Sequence, residues 1–258
     1  MTILSLLVDA GTVSAAYLNA ELRNVKSRRV QADEIWSFVY MKEKRVPTVW
    51  KGFPGLGDTW LWLAICTDTK LVISYHVGCR GGPSATTFIK DLAARLTGRI
   101  QLSTDGHRPY IEAVAVGFGS SSVDYAMIAK RAIVSETDNT EMVGYSVFGN
   151  PDPYHINTSY IERYNLTVRM TNRRFTRKTN GFSKKLENHK HSIALHLLYY
   201  NFVRVHMTLG TTPAVAAGFS KRTWYYEDIV ELIDRKKAEA KHKPSGLVRI
   251  VRNRSAQP

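Results

Sequence analysis

Cysteine is scarce in this 258-residue chain: Cys66 and Cys79 are the two present, and they form no C-x-x-C pattern. Thiols placed this way exclude a zinc ribbon and a disulfide-stapled scaffold, and they fit a reducing compartment. Acidic residues are also few, 22 Asp and Glu against 36 Lys and Arg, which leaves a formal net charge of +14. An excess of that sign favours a polyanionic partner, and nucleic acid is the commonest one. The opening "MTILSLLVDAGTVSAAYL" lacks the basic n-region of a signal peptide, and Asp9 interrupts its apolar residues. No apolar run reads as long enough to span a bilayer, so a cytoplasmic protein with no membrane partner is expected. Internal repeats and low-complexity segments are absent too. The glycines of "KGFPGLGD" do not make a phosphate-binding loop, because no Lys-Ser/Thr pair follows and no helix opens after them.

What is present is apolar enough, at 44% hydrophobic residues, for one large domain or a domain with an appendage. Residues 2–24 read as one or two amphipathic helices. Three stretches rich in β-branched and aromatic residues follow, "QADEIWSFVY", "TWLWLAICTD" and "KLVISYHVG", and read as hairpin-connected strands. "SATTFIKDLAARL" has helical spacing, with Ser84 or Thr86 as its cap. A strand "RIQLSTD", a short helix after Pro109 and a strand "DYAMIAKRAIV" come next. A loop-rich stretch containing "SETDNTE" and "FGNPDPYHIN" leads to a helix beginning at "TSYIERYNLTVRM". Further helices are expected over 192–205 and 224–240, and the tail "KHKPSGLVRIVRNRSAQP" reads as a basic, mobile extension. Three strands followed by strands in helical crossovers suit an α/β fold: a mixed five-stranded sheet with helices on both faces.

Three carboxylates stand where such a sheet gathers side chains. Asp33 begins the first strand, Asp105 ends the fourth, and Glu162 lies in the first turn of the later helix. An oxygen-rich cluster of this kind suits Mg²⁺ or Mn²⁺. Each residue also has a plainer reading. Asp33 precedes Glu34, and strand alternation lets only one of the two face a common site. Asp105-Gly106 is a normal turn pair after a strand. Ser159-x-x-Glu162 fits a capping box, in which the glutamate bonds back to the cap. On the same helix Ile161, Tyr164 and Val168 form an apolar stripe, while Glu162, Asn165 and Arg169 form a polar one.

The segments "QADEIWSFVY", "LSTDGHRPY", "NTSYIERYNLTVRMTNRRFTRKTNGFSKKLENH" and "YYNFVRVHMTLGTTPAVAAG" resemble the transposases of the insertion-sequence-one family, which are DDE recombinases with a ribonuclease H-like core. The resemblance runs from about Gln31 to Gly218. It implies a catalytic core over 29–190, between an N-terminal helical segment (1–28) and a C-terminal helical extension with a basic tail (191–258). It also implies that Asp33, Asp105 and Glu162 are a catalytic triad holding two Mg²⁺ or Mn²⁺ ions. Glu162 is then a metal ligand, and the helix cap falls to Ser159. Arg169, seven positions after Glu162, corresponds to a basic residue many such enzymes place on DNA. Asn201, Arg204 and His206 belong to a segment that follows the core in many integrase-like transposases. Members of the family usually begin with a longer region of zinc-binding or helix-turn-helix elements. Here Asp33 is preceded by residues 1–32 alone, without zinc-ligand spacing, so the chain reads as lacking that DNA-binding region.

The implied activity is metal-dependent strand cleavage and strand transfer of an insertion sequence. The implied partners are element ends and target DNA, with a homodimer to bring two ends together and nucleoid association when DNA is bound. Nine basic residues between Arg163 and Lys190 agree with a DNA partner: Arg163, Arg169, Arg173, Arg174, Arg177, Lys178, Lys184, Lys185 and Lys190, against Glu187 as the lone acid. Two rival readings remain at this level: a catalytically inactive DNA-binding remnant or regulator, and a metal-dependent nuclease of the same fold.

Overall fold

The computed structural model describes residues 2–53, 55–132, 140–178 and 180–242. The chain opens with a single helix, α1 (Ile3–Glu21), and a short β1 (Val25–Lys26). Next, β2 (Arg29–Val39), β3 (Gly57–Cys66) and β4 (Val72–Gly78) form an antiparallel meander. After α2 (Gly82–Arg95), a short β5 (Leu96–Thr97) pairs in parallel with β1, and β6 (Ile100–Asp105) leads into α3 (Pro109–Phe118). Then come β7 (Val123–Ala132), β8 (Thr140–Phe148), α4 (Ser159–Thr171), α5 (Leu186–Leu198), α6 (Pro213–Ala216) and α7 (Tyr226–His242).

The main sheet has six strands in the order β4-β3-β2-β6-β7-β8. Its β2–β6 and β6–β7 pairs are parallel and the others antiparallel. The parallel pairs occur where helices cross over, because a tight turn cannot join parallel strands. Helices cover both faces, as strand alternation makes visible on β2. Gln31 and Asp33 point to α4, while Glu34, one residue on and of opposite parity, meets Tyr110 of α3. The core runs through the middle of the sheet: Trp62 is fully buried and its ring packs edge-on against Tyr110 at 5.3 Å.

The sheet departs from the sequence reading by one strand. β8 lies in a stretch that reads as loop, since Gly144 interrupts its apolar alternation and the strand pairs on one side alone. That glycine has a packing reason, because a Cβ there would sit 2.8 Å from Ile156 Cγ2. The part of "SETDNTE" before Thr140, and the tail after His242, lie outside the described residues. Other boundaries shift as well. α2 is capped by Gly81, with no side-chain cap, so neither Ser84 nor Thr86 serves. The helix expected over 192–205 begins at Leu186 and ends in a π-helical turn, Tyr199–Val203.

α1 also corrects the sequence reading. With a mean hydropathy of 1.4 it is long and apolar enough to cross a membrane. In this fold it lies on α5, where a Cβ on Gly11 would come within 2.4 Å of His191 Cβ. It reaches α7 through an Asp9–Lys237 ion pair of 2.8 Å.

Candidate metal centre

β2 and β6 run side by side as far as the Ala32–Thr104 pair, and β6 ends one residue later at Asp105. Beyond that point β2 has lost its neighbour on one side, and a notch opens at the carboxyl end of β6. Crevices at the carboxyl ends of parallel strands are where open α/β sheets place their ligands. Asp33, Glu34 and Asp105 line this notch, each with a ligand atom within 4.8 Å of the others. The rule that only one of Asp33 and Glu34 could face a site therefore fails here. Alternation separates faces where strands flank on both sides, but at an open edge carboxylates from both faces reach round to meet.

Each carboxylate is held by named partners. Asp33 Oδ2 accepts from Asn165 Nδ2 of α4 at 2.7 Å, and its Oδ1 accepts from the Glu34 amide at 2.7 Å. Glu34, its side chain wholly buried, pairs with Arg80 Nε at 2.8 Å. It also accepts from the Tyr110 hydroxyl at 3.2 Å. Asp105 Oδ1 accepts from the His107 amide at 3.1 Å, and His107 Nε2 stands 3.0 Å from the Arg80 carbonyl oxygen.

The charges oppose one another. Burial first, then the neighbouring Glu34 and Asp105, push the Asp33 carboxyl up to about 7, and Glu162 adds a smaller push. Burial and then Asp105 raise Glu34, with Arg80 acting the other way. Carboxylates crowded together out of water are destabilised when ionised. A hard cation would relieve that repulsion, and an all-oxygen donor set is what Mg²⁺ or Mn²⁺ takes. The residues present therefore fit such an ion.

Of the three carboxylates picked out from the sequence, the structure brings Asp33 and Asp105 together and adds Glu34. Glu162 is exposed in the first turn of α4, outside that tight group, with its Oε1 accepting from Thr158 Oγ1 at 2.7 Å. The capping box is not formed, and Ser159 is not the cap. Thr158 is the N-cap residue and bonds through its backbone oxygen to the Glu162 amide at 3.0 Å. Gln31 of β2 satisfies the free amides instead, its Oε1 accepting from Tyr160 at 2.8 Å and Ile161 at 3.1 Å. Ser159 Oγ donates to Asn157. The apolar stripe Ile161, Tyr164, Val168 is buried as expected.

The basic residues are not on one long helix, because α4 ends at Thr171 and α5 begins at Leu186. Arg173, Arg177, Lys178, Lys184 and Lys185 are exposed on the connection, and Arg163 is exposed on α4. Arg169 is half-buried, and its charge and that of Asp33 act on one another. Arg174 is committed internally, its Nη1 donating to Ser183 Oγ at 2.8 Å. The aromatics among the charges are packing groups: Phe175 is buried, and Phe182 lies 5.1 Å from Phe38. The connection is tied beside the end of β2 by a parallel bridge between Val39 and Ser183. Asn201 is also structural. Its side chain exchanges two hydrogen bonds with the Val72 backbone, 3.0 and 2.9 Å long, at the irregularity in the β3–β4 ladder.

No protein-family model and no curated protein matches the chain. Among solved structures it is similar to a piggyBac transposase in a synaptic complex with hairpin DNA, determined by cryo-electron microscopy. The TM-score is 0.40 and the sequence identity 12%, over 85% of this chain and 55% of that one.

Proposed function

We propose that the chain is a DDE transposase of the insertion-sequence-one type, built on a ribonuclease H-like core that β8 extends at one edge. The observation that carries this reading is the carboxylate notch where β2 and β6 part, beside a strongly basic connection. Asp33 and Asp105, with Glu162 contributed by α4, would hold Mg²⁺ or Mn²⁺. Two such ions, when bound, supply activation of an attacking oxygen and stabilisation of a leaving one in phosphodiester chemistry.

The chain's own residues have separable parts in this proposal. Asn165 fixes the Asp33 carboxylate, and Arg80 with Tyr110 holds Glu34 at the back of the notch. Arg163, Arg169, Arg173, Arg177, Lys178, Lys184 and Lys185 neutralise DNA phosphates on the approach. Water first attacks the phosphodiester at an element end, breaking the P–O3′ bond and freeing a 3′-hydroxyl. That hydroxyl then attacks a target phosphodiester in line, forming a new P–O bond as the old one breaks, so no covalent enzyme intermediate arises. Synapsis of two ends calls for a homodimer, acting in the cytoplasm on nucleoid DNA.

The test is Mn²⁺-dependent nicking of supercoiled DNA carrying candidate ends. Asp105→Asn should abolish nicking while column-bound DNA is retained at the same salt. Full nicking by that variant would overturn the assignment. The place of Glu162 outside the tight carboxylate group favours a second reading, a DNA-binding protein without catalysis. Wild-type protein that retains DNA but never nicks it with Mn²⁺ would select that reading.

A further inference from the structure

On another face of α4 lies a cavity of about 400 Å³, closed on its far side by the π-helical turn and the chain that follows it. Four basic side chains line it: Lys70 from the β3–β4 turn, Arg163 from α4, and Arg204 and His206 from beyond the turn. Among the described residues, none of the ion pairs includes any of the four. Asp68, whose charge acts on Lys70, is paired with Arg29 at 2.8 Å. The Lys70 ammonium stands 3.4 Å over the Tyr160 ring, which keeps it at the cavity wall.

The basic groups are close enough to act on one another. His206 is pushed down by burial first, then by Lys70 and Arg204. A second observation is independent of charge. Among the described residues the buried Tyr164 hydroxyl has no hydrogen-bond partner, and Tyr164, at 2% exposure, lines the same cavity. Tyr200 and Arg204, the groups whose charges bear on it, line the cavity too. A buried hydroxyl without a partner costs about 1–3 kcal/mol, so its retention calls for an acceptor supplied from outside.

A ligand that satisfies converging donors and cations must be rich in acceptor oxygens and negatively charged, which describes a phosphate group. Arg163 stands next to Glu162 in sequence, so one helix would hold both a phosphate here and a group at the notch. We infer that this cavity seats a backbone phosphate of DNA and fixes the strand's position relative to the carboxylates. The inference rests on the DNA reading above for its ligand, and on the cavity alone for its phosphate chemistry.

The test uses the full chain in EDTA, so that no cation enters the notch. Thermal melting is compared in sodium phosphate and in sodium chloride of equal ionic strength, and binding of a short duplex is followed against salt. Wild type should melt higher in phosphate. Tyr164→Phe, which removes only the unpartnered hydroxyl, should fold and melt at least as high in chloride but lose much of the phosphate increment. Arg204→Gln and Arg163→Gln should each lower the log–log salt slope of duplex binding by about 0.9, one phosphate contact. Lys90→Gln, exposed on α2, should leave both readouts unchanged. Unchanged increment and slope in all three cavity variants would overturn the inference. Loss of the phosphate increment with an unchanged duplex slope would make this a site for free phosphate or a nucleotide and overturn the DNA assignment. Absence of Mn²⁺-dependent nicking would count against the proposed catalysis and leave these binding readouts standing.

Discussion

The acidic notch and the basic cavity are both served by α4 and are opposite in more than sign. In the notch every carboxylate already has a protein donor: Asn165 for Asp33, Arg80 and Tyr110 for Glu34, the His107 amide for Asp105. In the cavity the cations have no carboxylate partner among the described residues, and the Tyr164 hydroxyl has none of any kind. The notch is therefore shaped before a ligand arrives, whereas the inferred phosphate would supply the cavity's Tyr164 hydroxyl with its acceptor. One helix serves both because its 3.6-residue period sends Glu162, Asn165 and Arg169 one way and Arg163 and Tyr164 another.

The largest effect on stability should come from the notch. Asp33 titrates near 7 in the fold against an ordinary 3.8, so between those values the native state holds a proton that the unfolded chain releases. Stability then falls as pH rises from about 4 through 7, the sign expected for a raised carboxyl. Asp33→Asn removes the repulsion. At pH 8 without divalent cation it should be more stable than wild type, by at most about 4 kcal/mol for a shift of this size, and melt higher. The gap should close at pH 4 and narrow or reverse with Mn²⁺, which only wild type binds well. A variant that melts lower at pH 8 would mean that the notch is not strained.

Two substitutions separate the pockets. Gln31→Leu strips the acceptor from the Tyr160 and Ile161 amides and the donor from Asn157, at a cost of about 1–3 kcal/mol. Because Gln31 fastens α4 to β2, nicking and the duplex salt slope should fall together. Asn201→Ala leaves the buried Val72 amide and carbonyl unmet, with a similar or slightly smaller loss of about 1–2 kcal/mol. It loosens the strand after the Lys70 turn from the segment that carries Arg204, so the salt slope should fall while nicking at saturating DNA persists. Equal loss of both readouts in Asn201→Ala would show that the pockets are one unit.

Local chemistry was legible in the sequence, and long-range chemistry was not. The meander, the crossover helices and Asp105 at the end of β6 follow from periodicity and strand ends, whereas Asp33, expected to begin its strand, is the fifth residue of β2. Alternation points away from Glu34 because the rule assumes a strand flanked on both sides, and β2 has no β6 partner beyond Ala32. Spacing gives the cap of α4 to Ser159, a neighbour in sequence, while the working acceptor, Gln31, lies 129 residues away. The role of Asn201 was hidden for the same reason, its partner Val72 being equally remote. β8 escaped because an edge strand with a packing glycine has almost no period to read. The basic run was visible as charge, but sequence could not sort its exposed members from the one that braces the fold.

That sorting sets the smallest expected effect and the sharpest contrast within the basic run. Lys184 is exposed, so Lys184→Ala should leave stability within about 0.5 kcal/mol. If it meets a phosphate, the duplex salt slope falls by about 0.9. Arg174 should behave in the opposite way. Its guanidinium bonds Ser183 Oγ, and Ser183 and Ser37 hold the two nitrogens of buried His189 at 3.1 and 3.0 Å. Burial first, then Arg174, push that imidazole down to about 4. A histidine kept neutral in the fold makes the protein lose stability as pH falls from about 6.5 to 4, since only the unfolded chain takes up the proton. Arg174→Ala removes one of the two causes, so acid lability should ease slightly, overall stability at pH 7 should drop, and the salt slope should stay as it is. A slope change in Arg174→Ala equal to that in Lys184→Ala would mean that DNA draws the arginine out of its brace on binding, and that the connection rearranges when the duplex arrives.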